Sequence, residues 1–193
     1  MELARYRWFL LAGFVPLPWF LICAGIGGLL SPGYSAVSQH VSELTLKPGL
    51  PHLIANIGAL GCGAGFCLFA IGLWQATEKI VSFGAIAWFV FGVSILSNGI
   101  WPMGEPMHGL YGIGLVSVLA PALSFIELQL REDTRAMYLV TVFVSLSSLL
   151  YVWLILTGLD PAHAKGLTQR VFSSINSLWP AVTVMILLRQ VSV

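Results

Sequence analysis

The sequence predicts an all-α, polytopic integral membrane protein: a six-helix bundle in one domain covering residues 1–193. Its first loop is extracytoplasmic and contains a short amphipathic helix. Three observations carry this. Of 193 residues, 58% are hydrophobic and 9% charged, against roughly 25% charged in an ordinary soluble domain. One soluble core of this size cannot hide so much apolar surface, so the solvent is lipid. Second, the chain supplies six stretches near the roughly 20 apolar residues a spanning helix needs. Third, the breaks between them are short, except for the polar run SPGYSAVSQHVSELTLKPGLPH at 31–52.

The first helix is placed at 8–30, too long for the apolar core of a cleaved signal peptide. Pro16 and Pro18 bend it. In the following loop, Val37, Val41 and Leu44 recur at helical spacing with polar residues between them, the pattern of a short helix lying on the membrane surface. The second helix covers 53–74. Its Gly61 and Gly65 form a small-xxx-small pattern that packs membrane helices together.

The third helix covers 81–100 and stops at Trp101-Pro102. The fourth covers 109–130 with Pro121 inside, the fifth 137–157 and the sixth 171–188. Glu127 lies one helical turn before Arg131 and is read as snorkelling toward it. Trp8, Trp74, Trp101 and Trp179 read as interface anchors. Cys23, Cys62 and Cys67 all lie in apolar stretches and behave as small hydrophobes.

Lys and Arg counted at helix ends set the orientation. With the N-terminus inside, Arg5, Arg7, Lys79, Arg131, Arg135 and Arg189 are cytoplasmic, and Lys47, Lys165 and Arg170 lie outside. Both termini are then cytoplasmic. All four histidines, His40, His52, His108 and His163, fall on the outer side with Glu43, Glu105 and Arg170. A net charge of +1 lacks the clustered basic face that nucleic acid demands.

Polar residues within spans face the bundle interior or a wet cavity, because facing lipid is costly. His52 and Asn56 share a face of the second helix, as do Ser94 and Asn98 on the third. Arg170, Ser174 and Ser177 form a stripe on the sixth, with Asn176 beside it. The economical arrangement is a polar pocket open to the outside between helices two, three, four and six.

The segments SQHVSEL (38–44), PMHGLYGIGL (106–115) and GLTQRVFSSINSLW (166–179) resemble a bacterial family of six-helix membrane proteins known only as domain of unknown function 998. The resemblance implies a Ser-Glu pair at Ser42 and Glu43 in the first outer loop. It also implies His108-Gly109 opening helix four, and Gly166-Leu167 followed by Arg170 opening helix six. The layout is similar, more distantly, to eukaryotic membrane proteins linked to lipid remodelling. The resemblance implies a bacterial inner membrane and a lipid ligand.

The resulting expectation is a pocket for a lipid or amphipathic small molecule. Arg170 engages an anionic head, His108, Glu43 and His40 surround it with His52 and Glu105 as further ligand-binding residues, and Asn56 and Asn98 line the floor. Arg170 pairing with Glu43 is compatible with this. A second reading is a lipid hydrolase or transferase, with Ser42 or Ser38 as nucleophile, His108 or His40 as base and Glu43 as orienter. Serines in such loops more commonly bond backbone. A third is a non-catalytic subunit, a homo-oligomer or the companion of another membrane protein. No HExxH or HxxxH spacing is present, so neither metal nor other cofactor is expected.

Overall fold

The computed structural model describes residues 3–128, 130 and 134–191. Among them every regular element is helical. The first stretch is α1 (Leu3–Leu11), a 3-10 turn at Ala12–Phe14 and α2 (Pro16–Leu29), which meet at 41°. The expected single helix over 8–30 is therefore broken. Pro16 occupies the first turn of α2, where its missing N–H removes no bond the new helix needs.

Next come α3 (Leu50–Thr77), α4 (Phe83–Ile100), a 3-10 helix at Leu110–Val118, α5 (Ala120–Glu127), α6 (Thr134–Thr157) and α7 (Lys165–Val191). Four of these helices are long and apolar enough to cross a membrane, and up to six spans result if each bent pair counts as one. The second bent pair corrects the expected continuous helix over 109–130. Gly109, Leu110, Tyr111 and Gly112 all have positive φ (71°, 46°, 53° and 82°). A left-handed turn therefore precedes a 3-10 segment, which bends by 50° into α5 at Pro121.

Glycines set the helix spacing. A β-carbon on Gly63 would lie 2.6 Å from the Leu96 nitrogen, and one on Gly92 2.9 Å from the Cys67 nitrogen. So α3 and α4 touch backbone to backbone. Gly61 lies under the Trp19 indole and Gly65 against Pro16, so this pair does serve a helix contact, to α2. Beside these seams Phe66 stacks on Trp88 at 5.6 Å, and Trp88 on Trp179 at 5.5 Å. Trp179 is fully buried and donates its indole N–H to Thr141 Oγ1 at 2.9 Å. It is a core residue rather than an interface anchor, because it falls midway along α7.

At one end of the bundle, the loop after α4 meets the loop after α2: Met103 N–H donates to Thr45 Oγ1 at 2.9 Å. The start of α7 meets the same loop, with Leu167 N–H on the Val37 carbonyl at 2.9 Å. At the opposite end Glu127 reaches α4 and accepts from Ser82 Oγ, Phe83 N–H and Gly84 N–H at 2.6, 2.8 and 3.1 Å. This replaces the snorkelling expected of it, since the first N–H groups of a helix have no partner within it. Arg131, its expected partner, lies outside the described residues.

Candidate functional site

The site begins with how the loop after α2 is fastened. Arg170, in the second turn of α7, donates Nη1 to the carbonyls of Ala36 (2.7 Å), Gln39 (3.1 Å) and Gly166 (2.8 Å), and Nη2 to the Tyr34 hydroxyl. Gly166 permits the approach, since a β-carbon there would overlap the carbonyl oxygens of Gln39 and Ala36. Gly166, Leu167 and Arg170 thus grip the loop backbone at Ala36, Val37 and Gln39.

The same grip explains why residues 37–44 are not the expected amphipathic helix. Ala36, Val37 and Gln39 give their carbonyls to α7, and only a 3-10 helix at Val41–Leu46 remains. Val37 is half exposed, whereas Leu44 is fully buried, packed over Gly27.

Charges complete the fastening. Glu43 Oε1 accepts from the His40 N–H at 3.0 Å and pairs with Lys165 Nζ at 3.0 Å, and Oε2 accepts from Gln39 at 3.0 Å. Its ion-pair partner is therefore Lys165 rather than Arg170. Burial raises the Glu43 pKa, but the bonds from His40, Lys165 and Gln39 outweigh it and hold the carboxyl below its ordinary value. His40 lies 3.9 Å from Asp160. Burial, with Lys165 nearby, lowers the imidazole below its ordinary value against the pull of Asp160 and Glu43. Burial raises Tyr34, opposed by its bond from Arg170.

Under this loop lies a cavity of about 310 Å³, within the range of small-molecule sites. Ser42 and Thr45 line its loop side. The residues that line it from α2 and α3, among them Pro16, Phe20, Ala24 and Phe66, are apolar; those from α6 and α7 bring Ser148, Tyr151, Gln169, Ser173, Asn176 and Ser177 beside Val152, Ile155 and Phe172. Residues 169, 173 and 176 share one face of α7. Of the expected stripe, Ser177 and the neighbouring Asn176 do line the cavity, whereas Arg170 and Ser174 do not, and Gln169 and Ser173 take the places above them.

The expected site residues divide into four groups. Ser42, His108 and Asn98 line the cavity. His108 Nδ1 donates to the Trp101 carbonyl at 2.8 Å, since a carbonyl can only accept, which leaves Nε2 as an acceptor. Asn98 Oδ1 is buried without a partner. The Ser42 hydroxyl meets the Met103 sulfur at 3.6 Å, a weak acceptor.

Glu43, His40 and Arg170 belong to the fastening. His52 and Asn56 bond each other at 3.0 Å, and His52 Nδ1 donates to the Thr45 carbonyl at 2.6 Å. Glu105 is exposed in the turn after α4. So the structure does not bring Glu43 to either histidine ring as an orienter. Gln169, Ser173, Ser148, Tyr151 and Thr45 were not among the expected site residues. The i, i+4, i+7 spacing of 169, 173 and 176 was the available signal. Among the described residues no three His, Cys, Asp or Glu side chains gather into a group able to hold a metal ion.

Comparison with protein families finds a match to a model described as a protein of unknown function (DUF998), over residues 14–186. No curated protein and no solved structure matches.

Proposed function

The chain belongs to the DUF998 family, and from that premise we propose that it is a multi-pass membrane protein whose cavity holds a lipid or other amphipathic small molecule. The observation that carries this is the mixed lining of the cavity, apolar where α2 and α3 contribute and rich in hydroxyl and amide groups where α6 and α7 do. An amphiphile satisfies both kinds of lining at once. The excess of Lys and Arg in the segments expected on the other side supports an outward-facing loop end and cytoplasmic termini, and the family resemblance suggests a bacterial inner membrane.

In this reading Arg170 acts through the loop and not on the ligand. Its guanidinium donates to four oxygen atoms of the protein, and such charge-assisted bonds hold firmly. Native mass spectrometry of the detergent-purified protein, with metal analysis of the same sample, tests the proposal. A stoichiometric amphiphile is expected, and Arg170→Ala should lose it by loosening the loop. A protein that carries nothing and takes up no added lipid overturns it.

A second reading has one observation in its favour. Ser42, with only a thioether partner, and His108, with Nε2 left as an acceptor, line the same cavity. They could act as nucleophile and base on an ester lipid, with the Trp101 carbonyl holding the tautomer that Glu43 was expected to hold. Ser42→Ala should then abolish lipid hydrolysis and leave lipid retention intact. Retained hydrolysis removes Ser42 from any catalytic role.

A further inference from the structure

The cavity's polar groups define the kind of head it accepts. No Asp, Glu, Lys or Arg is among the residues lining it. Two cations of the loop end are engaged elsewhere: Lys165 pairs with Glu43, and Arg170 holds the loop. A carboxylate or phosphate head would therefore be buried with no Lys or Arg in the lining to answer it, a cost of several kcal/mol that binding would have to overcome. An ammonium head is no better placed, since no carboxylate faces the cavity.

What the cavity offers is a mixed set of neutral donors and acceptors. Gln169 Oε1 accepts from the Val41 N–H at 2.7 Å, which fixes the amide and makes Nε2 its donor end. Asn176, buried to within 7% of full exclusion, accepts from Ser148 through Oδ1 at 3.4 Å, which leaves Nδ2 to donate. Acceptors include Nε2 of the neutral His108 ring and Asn98 Oδ1, the latter buried and unpartnered, beside the lining hydroxyls, which can both donate and accept.

A carboxylate or phosphate would use the donors and set its charge against both acceptor lone pairs. A hydroxyl group donates once and accepts twice, so it can answer both kinds of group together. Resting on the lipid-pocket reading above, we infer that the ligand is an uncharged amphiphile with a hydroxyl head, of the class of long-chain alcohols and monoacylglycerols.

The test is native mass spectrometry of the full chain in detergent. It is offered equal amounts of oleyl alcohol, monooleoylglycerol, oleic acid, oleylamine and oleoyl lysophosphatidate at neutral pH. The chain is nearly the same in all five, so only the head discriminates. The two hydroxyl lipids should be retained about tenfold better than the charged ones, a difference of about 1.4 kcal/mol. Asn98→Leu should level that preference without lowering the unfolding temperature, because it removes an acceptor that has no partner in the protein.

Better retention of either charged class, or equal retention of all five, overturns the inference about the head and leaves the lipid pocket standing. An Asn98→Leu protein that keeps the full preference at unchanged stability also overturns the role of Asn98. Retention of none of the five fails the pocket reading itself.

Discussion

The guanidinium of Arg170 closes on the carbonyl oxygen of Ala36 at 2.7 Å, joining residues 134 apart in the chain. Its other bonds run to Gln39, Gly166 and Tyr34, and the Tyr34 ring lies 5.7 Å from the guanidinium carbon. This geometry needs a planar fork of donors, which lysine lacks. Arg170→Lys should therefore fail nearly as badly as Arg170→Ala. Each should cost about 1.5–3 kcal/mol, the worth of a hydrogen bond to a charged group. Thermal unfolding in detergent reads the loss, and faster chymotryptic cleavage after Tyr34 reads the freed loop. A lysine variant that behaves like the native protein would show that only the charge matters.

At the far end of the bundle, the Glu127 carboxylate supplies acceptors to the start of α4. It is 6% exposed and takes two backbone N–H groups and a hydroxyl. Glu127→Ala leaves those donors buried and unanswered, and should lower stability by about 3 kcal/mol. Glu127→Gln keeps one acceptor oxygen and should lose only about 1 kcal/mol. Equal losses in the two variants, measured by denaturant unfolding, would contradict the capping role.

Acid should release the loop in two stages. The His40 pKa is lowered on folding from its ordinary 6.5, so below that value the unfolded chain takes up a proton that the folded loop resists. The Glu43 pKa is lowered from 4.5, and its stabilising contribution is lost as pH falls through the folded value. In both cases the unfolded state binds more protons, so stability falls with falling pH. Protease protection of the loop should decline below about pH 6.5 and again below about pH 4.5. His40→Gln should remove only the upper stage, and an unaltered upper stage in that variant would exclude His40.

Hydropathy made the helical architecture legible, because lipid permits few alternatives to a buried-backbone helix. Gly61 and Gly65 were readable for the same reason, as small residues where helices touch. The partner of Arg170 was not. Its acceptors are the backbone carbonyls of Ala36 and Gln39, and every residue has a carbonyl. The cavity stripe was read only in part, for a related reason. Asn176 and Ser177 were expected there, but neighbouring faces of α7 both carry polar residues, and only the commitment of Arg170 to the loop decides that 169 and 173 turn inward with them. Gly109 and Gly112 signalled a break at the start of helix four, but Leu110 and Tyr111 between them oppose a left-handed turn by their own preference.

That opposition supplies a test of the turn itself. Tyr111 has φ 53° and is 78% exposed, so its side chain contributes little burial to offset a conformation costing an L-residue about 1–2 kcal/mol. Tyr111→Gly relieves that cost and adds about 0.5–1 kcal/mol of unfolded-chain entropy. The two changes nearly cancel, and stability should be unchanged or slightly raised. Tyr138→Gly, at an exposed site of α6, has no such relief and should lose about 1 kcal/mol.

Tyr111→Val reverses the argument, because a β-branched residue tolerates positive φ poorly. It should lower the unfolding temperature. It should also weaken retention of a cavity ligand, since the turn docks on α4 through the bond from Ser94 Oγ to the Gly109 carbonyl at 3.0 Å and carries His108 against the cavity. A valine variant as stable as the native protein would mean that this segment enters the bundle as an ordinary helix.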